Sequence, residues 1–380
     1  MEPSRFDLSE EQLRLLEEAR ALARETLARI AARGTPGRVN RELVRALAET
    51  GVLPRLFPER AGGAAEHDVF AMDLCLLREG LAQGSVDAET ALAMQGLGAY
   101  PLVQSATPEL VDRWVPRIAS GEAIGAFALS EPEHGTDAAA IELSAERDGG
   151  GWRLSGTKTW ISNAPDADMY VLFARTDPDA GSRGITAFVL PGDAAGLSGE
   201  PIDLLATHPI GRLELDGVRL SSGDVVGEVG AGFKVAMRTL DLFRPSVGAF
   251  AVGMAQAALT LAASRARHRS SMGKALREHQ AVSQTLAEMA TRTEAARLLV
   301  YAAASAHDRG QRTTSRSAMA KLFATETAQW VVDAAVQIHG ASGLERGHPL
   351  EHLYRDVRAP RIYEGTSEIQ REIISRELYR

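Results

Sequence analysis

Apolar residues in the first 120 positions recur every three or four residues, the spacing of a helix with one buried face. Leu13, Leu16, Ala19, Ala23, Leu27 and Ile30 form the first stripe. Ser9 and Gln12 stand at capping-box spacing before it, and Leu8 and Leu13 are placed to staple its start. Gly34 and Pro36 end it. Further helices are predicted over 40–50, 66–83, 86–98 and 108–120, with Gly51 and Gly121 as stops. The texture then changes. Between Gly125 and Gly230, turn residues punctuate short apolar runs. Trp152 and Leu154 alternate with polar neighbours, 169–174 and 185–190 are strand-like, and Leu213, Leu215, Val218 and Leu220 alternate again. Helical texture returns over 246–269, 279–309 and 313–339, with Val282, Leu286, Met289, Ala296 and Val300 on one apolar line. A last helix is predicted over 366–379. Helices this long pack as antiparallel bundles.

The order gives an α+β multi-domain chain. Its expected parts are an N-terminal helical domain over 1–121, a middle β-domain over 122–230 and a C-terminal four-helix bundle over 231–380. No internal repeat or low-complexity tract interrupts it.

Composition narrows the function classes. The 380 residues are 45% hydrophobic and 24% charged, which excludes disordered, collagenous and coiled-coil chains. The formal charge of −8 argues against nucleic acid as a partner. Cys75 is alone, so neither an intrachain disulfide nor a cysteine zinc cage can form. No run reaches the ~18 uninterrupted apolar residues of a membrane span. The acidic N-terminus lacks a signal core, so a cytoplasmic location is expected. Only four cations are lysine (Lys158, Lys234, Lys274 and Lys321), an arginine bias that suggests a GC-rich bacterial genome.

Four segments carry candidate chemistry. Phe127–Asp137 puts small and polar residues after an apolar start. Its amides near Gly135 and the Ser130 and Thr136 hydroxyls suit either a polar ligand edge or an ordinary loop. In Gly156–Asn163, Trp160 either covers a flat ring or fills the β-domain core. In Arg355–Gln370, Glu364 lies between Tyr363 and Gly365, just before a helix cap. It is either a desolvated base or a surface carboxylate at a helix start. In Gln337–Gly343, two glycines allow close backbone approach or simply end a helix. His339 and His348 lack the cysteines or carboxylate triad of a metal set, so no metal is assigned.

In this order and at these separations, the four segments resemble the acyl-CoA dehydrogenase family over nearly the whole chain. A-L-S-E-P-E-H-G-T-D and Q-I-H-G-A-S-G with Y-R-D-V-R look like its two signatures, and I-Y-E-G-T-S-E-I-Q like the segment with its catalytic glutamate. The resemblance implies FAD as cofactor and oxidation of an acyl-CoA thioester to the trans-2-enoyl-CoA. Glu364 would be the α-proton base, flavin N5 the hydride acceptor, and the Glu364 amide a donor to the thioester oxygen. An alternative base position in the family falls here on Phe243, which cannot accept a proton.

Other contacts are implied motif by motif. Phe127, Leu129, Ser130, Gly135 and Thr136 would meet flavin or pyrophosphate, with Trp160, Ile161 and Ser162 along the ring. Arg269, Met272, Gln280, Gln337, Gly340 and Ala341 would reach FAD across a subunit interface, and Thr366 and Glu368 would touch it beside the base. Asp241, Arg244 and Thr136 would meet the CoA portion, Phe243 would shape the acyl pocket, and Gly365 would line it. Three residues depart from the pattern: His134 stands for a small residue, Met272 for Phe, and Ala341 for Gly. The segment 206–212 looks short, as in a subfamily with an unusual substrate. A homo-oligomer, dimer or tetramer, is implied, with an electron-transferring flavoprotein as acceptor. The rival readings are a same-fold oxidase or hydroxylase, a dehydrogenase of carrier-protein-bound acyl groups, and a scaffold that lost the chemistry. The retained base and flavin motifs oppose the last.

Overall fold

The computed structural model describes residues 8–66 and 70–379. Among these described residues, contacts gather 8–28, 70–89 and 241–379 into one compact unit and 29–66 and 90–240 into another. Of the predicted N-terminal helices, Glu10–Leu22 and Ala71–Ala82 fall in the first unit and Arg41–Glu49 and Pro108–Ala119 in the second.

The first unit is helical. Glu10–Leu22 opens on the expected capping box, the Ser9 and Gln12 side chains each bonding the other's backbone amide. Its buried line is Leu15, Ala19, Ala23 and Leu27, while Leu13 is exposed. Four-residue steps drift around an α-helix. A π turn at Ala23–Leu27 widens the helix and keeps that line on one side. It packs on Ala71–Ala82, where a Cβ on Gly80 would lie 2.7 Å from the Leu16 carbonyl. No side chain of the preceding residue caps Ala71–Ala82. Instead the Asp308 carboxylate accepts from the amides of Ala71 (2.6 Å) and Met72 (2.9 Å), its charge favoured at a helix N-terminus. Gln280–Asp308 and Thr314–His339 pack together, and Pro349–Asp356 and Ser367–Leu378 pack on the latter. Pro349–Asp356 is a helix the apolar pattern did not announce.

Two predicted ends move. The helix from Val86 runs to Ser105 through Pro101, and the helix predicted from 246 begins at Gly232 and passes Pro245. The apolar residues around each proline, Leu97, Ala99 and Leu102 in one and Leu242, Phe243 and Val247 in the other, are buried. That burial outweighs the loss of one backbone bond at each proline. By length and composition Gly232–His268 would also pass for a membrane span, but 72% of its apolar window is buried inside the protein. Of the predicted line on Gln280–Asp308, Met289, Ala296 and Val300 are buried, whereas Val282 and Leu286 stay partly open. Residues 67–69 of the helix predicted over 66–83 lie outside the described residues.

The second unit is built on an eight-stranded sheet: β1 Gly125–Ala128, β2 Ser144–Asp148, β3 Gly151–Ser162, β4 Met169–Arg175, β5 Ile185–Pro191, β6 Leu197–Pro201, β7 Ile210–Ser221 and β8 Val225–Val226. The order is β6-β7-β3-β2-β4-β5-β8, with β1 added parallel to β4. β4 and β5 are buried on both faces and read as continuous apolar runs. β3 and β7 alternate, and their pairing slips between Leu154 and Gly156 and between Lys158 and Ile161. Gln95 fixes the entry to β1, donating to the Ala123 carbonyl and accepting from the Gly125 amide, both at 2.8 Å. Asp168 binds the Arg41 guanidinium at 2.7 Å and also accepts from the Ile124 amide.

Candidate active site

Glu364 sits where a side chain rarely does. Its φ is +53°, and Gly365 follows at +92°. A non-glycine residue in the left-handed region costs about 1–3 kcal/mol unless its surroundings impose it. Here they do. Gly365 has no room for a Cβ, which would lie 2.6 Å from the Gln370 amide nitrogen. Gln370, fully buried, donates to the carbonyls of Glu364 (3.2 Å) and Gly365 (3.0 Å). The Lys321 ammonium, also fully buried, donates to the Gly365 carbonyl at 2.7 Å. Thr366 then caps Ser367–Leu378, its hydroxyl accepting from Ile369, and Ser367 bonds Glu326 at 2.7 Å.

The turn delivers a carboxylate into a desolvated, cationic setting. Glu364 Oε2 is buried and has no hydrogen-bond partner. Desolvation raises its pKa above the ordinary carboxylate value, opposed by the charges of Arg78, Arg244 and Lys321. A buried carboxylate oxygen with nothing to accept is costly in a structural role. It is the arrangement a proton acceptor needs.

Arg78 is itself buried, paired with Glu89, donating to Ser246 Oγ at 2.7 Å and lying over the Phe250 ring. Asp241 and Arg244 form an ion pair at 3.0 Å one turn apart, and Arg244 is the more buried partner. Phe243, buried beside them, gives its carbonyl to Ser246. Gln370, Lys321 and Arg78 escaped the sequence reading. Lys321 carried one signal, being among only four lysines in an arginine-rich chain.

In the second unit, the other predicted residues gather on β1, β3 and the loop between β1 and β2. Thr159 donates to the Ser130 carbonyl, tying the loop to β3. The fully buried Lys158 holds the Leu129 carbonyl and the Glu131 carboxylate, both at 2.8 Å. Glu131 also accepts from the amides of Glu142 (2.6 Å) and Leu143 (3.0 Å). The β3–β7 irregularity places Trp160 at φ +59° with 54% of its surface exposed, so Trp160 is not a core tryptophan. Ser162 Oγ is pinned to His208 Nε2 at 2.8 Å, and desolvation pushes the His208 imidazole down to about 4, hence neutral. The Phe127 ring leans on Phe173 at 4.9 Å, and Leu129 is buried. Gly135 and Thr136 are open on the loop, where His134 approaches Glu142 at 3.5 Å. The Ile161 side chain is buried in the sheet, which leaves its backbone as the part that faces outward. An exposed indole beside a fixed hydroxyl, with an open glycine loop tied to the same strand, fits a flat, polar-rimmed cofactor such as a flavin.

Further predicted residues lie on other elements of the helical unit. Met272 and Gly273 turn the hairpin of Ser270–Ser271 and Lys274–Ala275 with positive φ at both positions. Met272 is 93% exposed, and Arg269 and Gln280 are exposed beside it. Gln337 and Ala341 are exposed around the end of Thr314–His339. There Gly340 alone carries the positive φ, +66°, so alanine at 341 imposes no strain. His339 and His348 stack edge to face at 5.2 Å, the Nδ1 of His339 facing the Ala335 carbonyl.

Models of the acyl-CoA dehydrogenase N-terminal, middle and C-terminal domains match residues 9–122, 126–218 and 230–379. The chain therefore belongs to the acyl-CoA dehydrogenase family, whose members are FAD-dependent oxidoreductases. It is 35% identical over 377 residues to cyclohexane-1-carbonyl-CoA dehydrogenase of Geobacter metallireducens, covering 98% of both chains. Its fold matches the butyryl-CoA dehydrogenase of Megasphaera elsdenii with a TM-score of 0.92 at 32% identity, over 99% of this chain and 100% of that one. A chain solved in work on the electron transferring flavoprotein of Acidaminococcus fermentans matches with a TM-score of 0.93 at 33% identity, over 99% and 100%.

Proposed function

We propose that the protein desaturates an acyl-CoA thioester to its trans-2-enoyl-CoA, with Glu364 as the α-proton base. The observation that carries the reading is the unpartnered, buried Glu364 oxygen at a backbone conformation imposed by its neighbours. A thioester α-proton is weakly acidic, so the base must be desolvated yet ionised. Burial raises its proton affinity, and the charges of Arg78, Arg244 and Lys321 oppose that rise and favour the ionised form. The Glu364 amide donates to the thioester oxygen, where negative charge develops.

FAD, when bound, supplies the acceptor for the β-hydride. Phe127, Leu129, Ser130, Gly135, Thr136, Trp160, Ser162 and the Ile161 backbone would hold its flavin half, and Thr366 and Glu368 would contact it beside the base. Arg269, Met272, Gln280, Gln337, Gly340 and Ala341 would hold FAD of a second copy. The exposed Met272, Leu298, Leu299, Met319 and Phe323 are apolar surface that such a homo-oligomer would cover. Asp241 and Arg244 would meet the CoA portion, and Phe243 and Gly365 would line the acyl path. An electron-transferring flavoprotein is the proposed oxidant of the reduced enzyme, in keeping with the Acidaminococcus relative.

The test is the anaerobic visible spectrum of the purified protein, before and after butyryl-, octanoyl-, isobutyryl- and cyclohexane-1-carbonyl-CoA. Bleaching of oxidised flavin by one thioester, lost in Glu364→Gln with FAD retained, is the expected result. Normal bleaching by Glu364→Gln overturns the base assignment. A yellow protein bleached by none moves the substrate to a carrier-bound acyl group, and rapid reoxidation in air moves the reaction to an oxidase.

A further inference from the structure

We propose that Lys321 is a positioning residue for Glu364: its buried ammonium clamps the Gly365 carbonyl, holding the left-handed turn that aims the carboxylate, and supplies the positive charge that keeps it ionised. The inference rests on Glu364 being the base.

The clamp has two independent donors on one peptide. Lys321 Nζ and Gln370 Nε2 reach the Gly365 carbonyl at 2.7 and 3.0 Å, and Gln370 also reaches the Glu364 carbonyl. Both side chains have no exposed surface. They come from different helices, Thr314–His339 and Ser367–Leu378, so the turn is fixed from two sides. A single-sided contact would leave the +53° φ of Glu364 free to relax to an ordinary conformation. A lysine is also an expensive way to bind a carbonyl. Burial pushes its pKa down to about 8, with Glu364 the foremost group holding it up and Arg244 pushing it further down. A neutral donor would satisfy the carbonyl without that desolvation penalty. The charge is therefore spent on the neighbouring carboxylate.

The charged groups facing this pair define the sign. Arg78 comes from Ala71–Ala82, Arg244 from Gly232–His268, Glu326 from Lys321's own helix and Glu368 from Ser367–Leu378. With Arg78 and Arg244 unchanged, removing the Lys321 charge makes Glu364 easier to protonate.

The test compares FAD-loaded wild type, Lys321→Met and Lys321→Gln. The titration midpoint of Glu364 is read from its protonated carboxyl infrared band, assigned by its loss in Glu364→Gln. Lys321→Met should raise that midpoint by about one pH unit, a tenfold change in proton affinity. It should lower kcat for a bleaching thioester at least tenfold, with KM changed less than threefold and the acidic limb of the rate profile moved to higher pH. Lys321→Gln, which restores a donor without charge, should recover part of kcat and none of the midpoint shift. An unmoved midpoint in Lys321→Met overturns the proposal whatever the substrate. If Lys321→Met does not fold, Lys321→Gln carries the same midpoint test. Activity surviving in Glu364→Gln would sink the base reading itself, whereas an inactive Glu364→Gln beside an unaltered Lys321→Met sinks only the clamp.

Discussion

Replacing Lys158 by methionine should be among the most damaging single changes in the β-sheet unit, and more damaging than removing its partner with it. The ammonium has no exposed surface and holds the Leu129 carbonyl and the Glu131 carboxylate, each at 2.8 Å. Methionine fills nearly the same volume, so little of the cost comes from a cavity. The cost comes from Glu131, left as a buried charge with only the Glu142 and Leu143 amides, and from a carbonyl that loses a donor. Breaking a buried pair in this way costs about 3–5 kcal/mol. The pair itself is no bargain, since burial pushes Lys158 down to about 8 despite Glu131. At ~1.4 kcal/mol per pH unit, the charged ammonium is disfavoured by about 3 kcal/mol relative to water. Lys158→Met/Glu131→Gln, which removes both charges and keeps an acceptor for one of the two amides, should therefore recover part of the single-mutant loss. Urea unfolding of the four proteins of the cycle measures both quantities, and flavin content per protomer reports whether the loop that Lys158 anchors still retains FAD. A loss below about 1 kcal/mol in Lys158→Met would refute the reasoning, because a buried, unpaired carboxylate cannot be that cheap.

Other expectations follow from buried polar groups. The folded His208, near 4, binds fewer protons than an unfolded histidine near 6.5, so stability should fall as pH drops from about 6.5 to 4. The loss should reach about 2–3 kcal/mol, and His208→Gln should flatten that part of a melting-temperature profile. In the helical unit, Glu79 accepts from Arg297 (2.9 Å) and Tyr301 (2.8 Å) with almost no exposure. Arg297→Met should cost about 3–5 kcal/mol in chemical denaturation and Tyr301→Phe about 1–2, because only the first strips the carboxylate of its counter-charge. Glu364→Gln should abolish flavin bleaching by thioesters while leaving FAD bound, and Lys321→Met should move the Glu364 titration to higher pH.

The sequence by itself determined the element types, their order and the family, and it singled out Glu364 as the base proposed here. Apolar spacing distinguishes helix from strand locally, and motif order survives in the chain whatever its folding, so the segment of Glu364, Gly365 and the Thr366 cap stood out as a candidate. The capping box of Ser9 and Gln12 was likewise readable, since both partners lie within one turn. Tertiary structure decided what depends on residues far apart in sequence. Helices run through Pro101 and Pro245 because burial of their flanks outweighs a single lost hydrogen bond. Ala71–Ala82 is capped by Asp308, more than two hundred positions away. The three cations around Glu364 come from three separate helices, and the two donors that hold its turn come from one of these and from a fourth, Ser367–Leu378. Local pattern carries no record of such pairings, because hydrogen bonds and desolvation are properties of neighbours in space rather than in sequence. A lysine hidden in an arginine-rich chain was their one trace, as Lys158 and Lys321 both show.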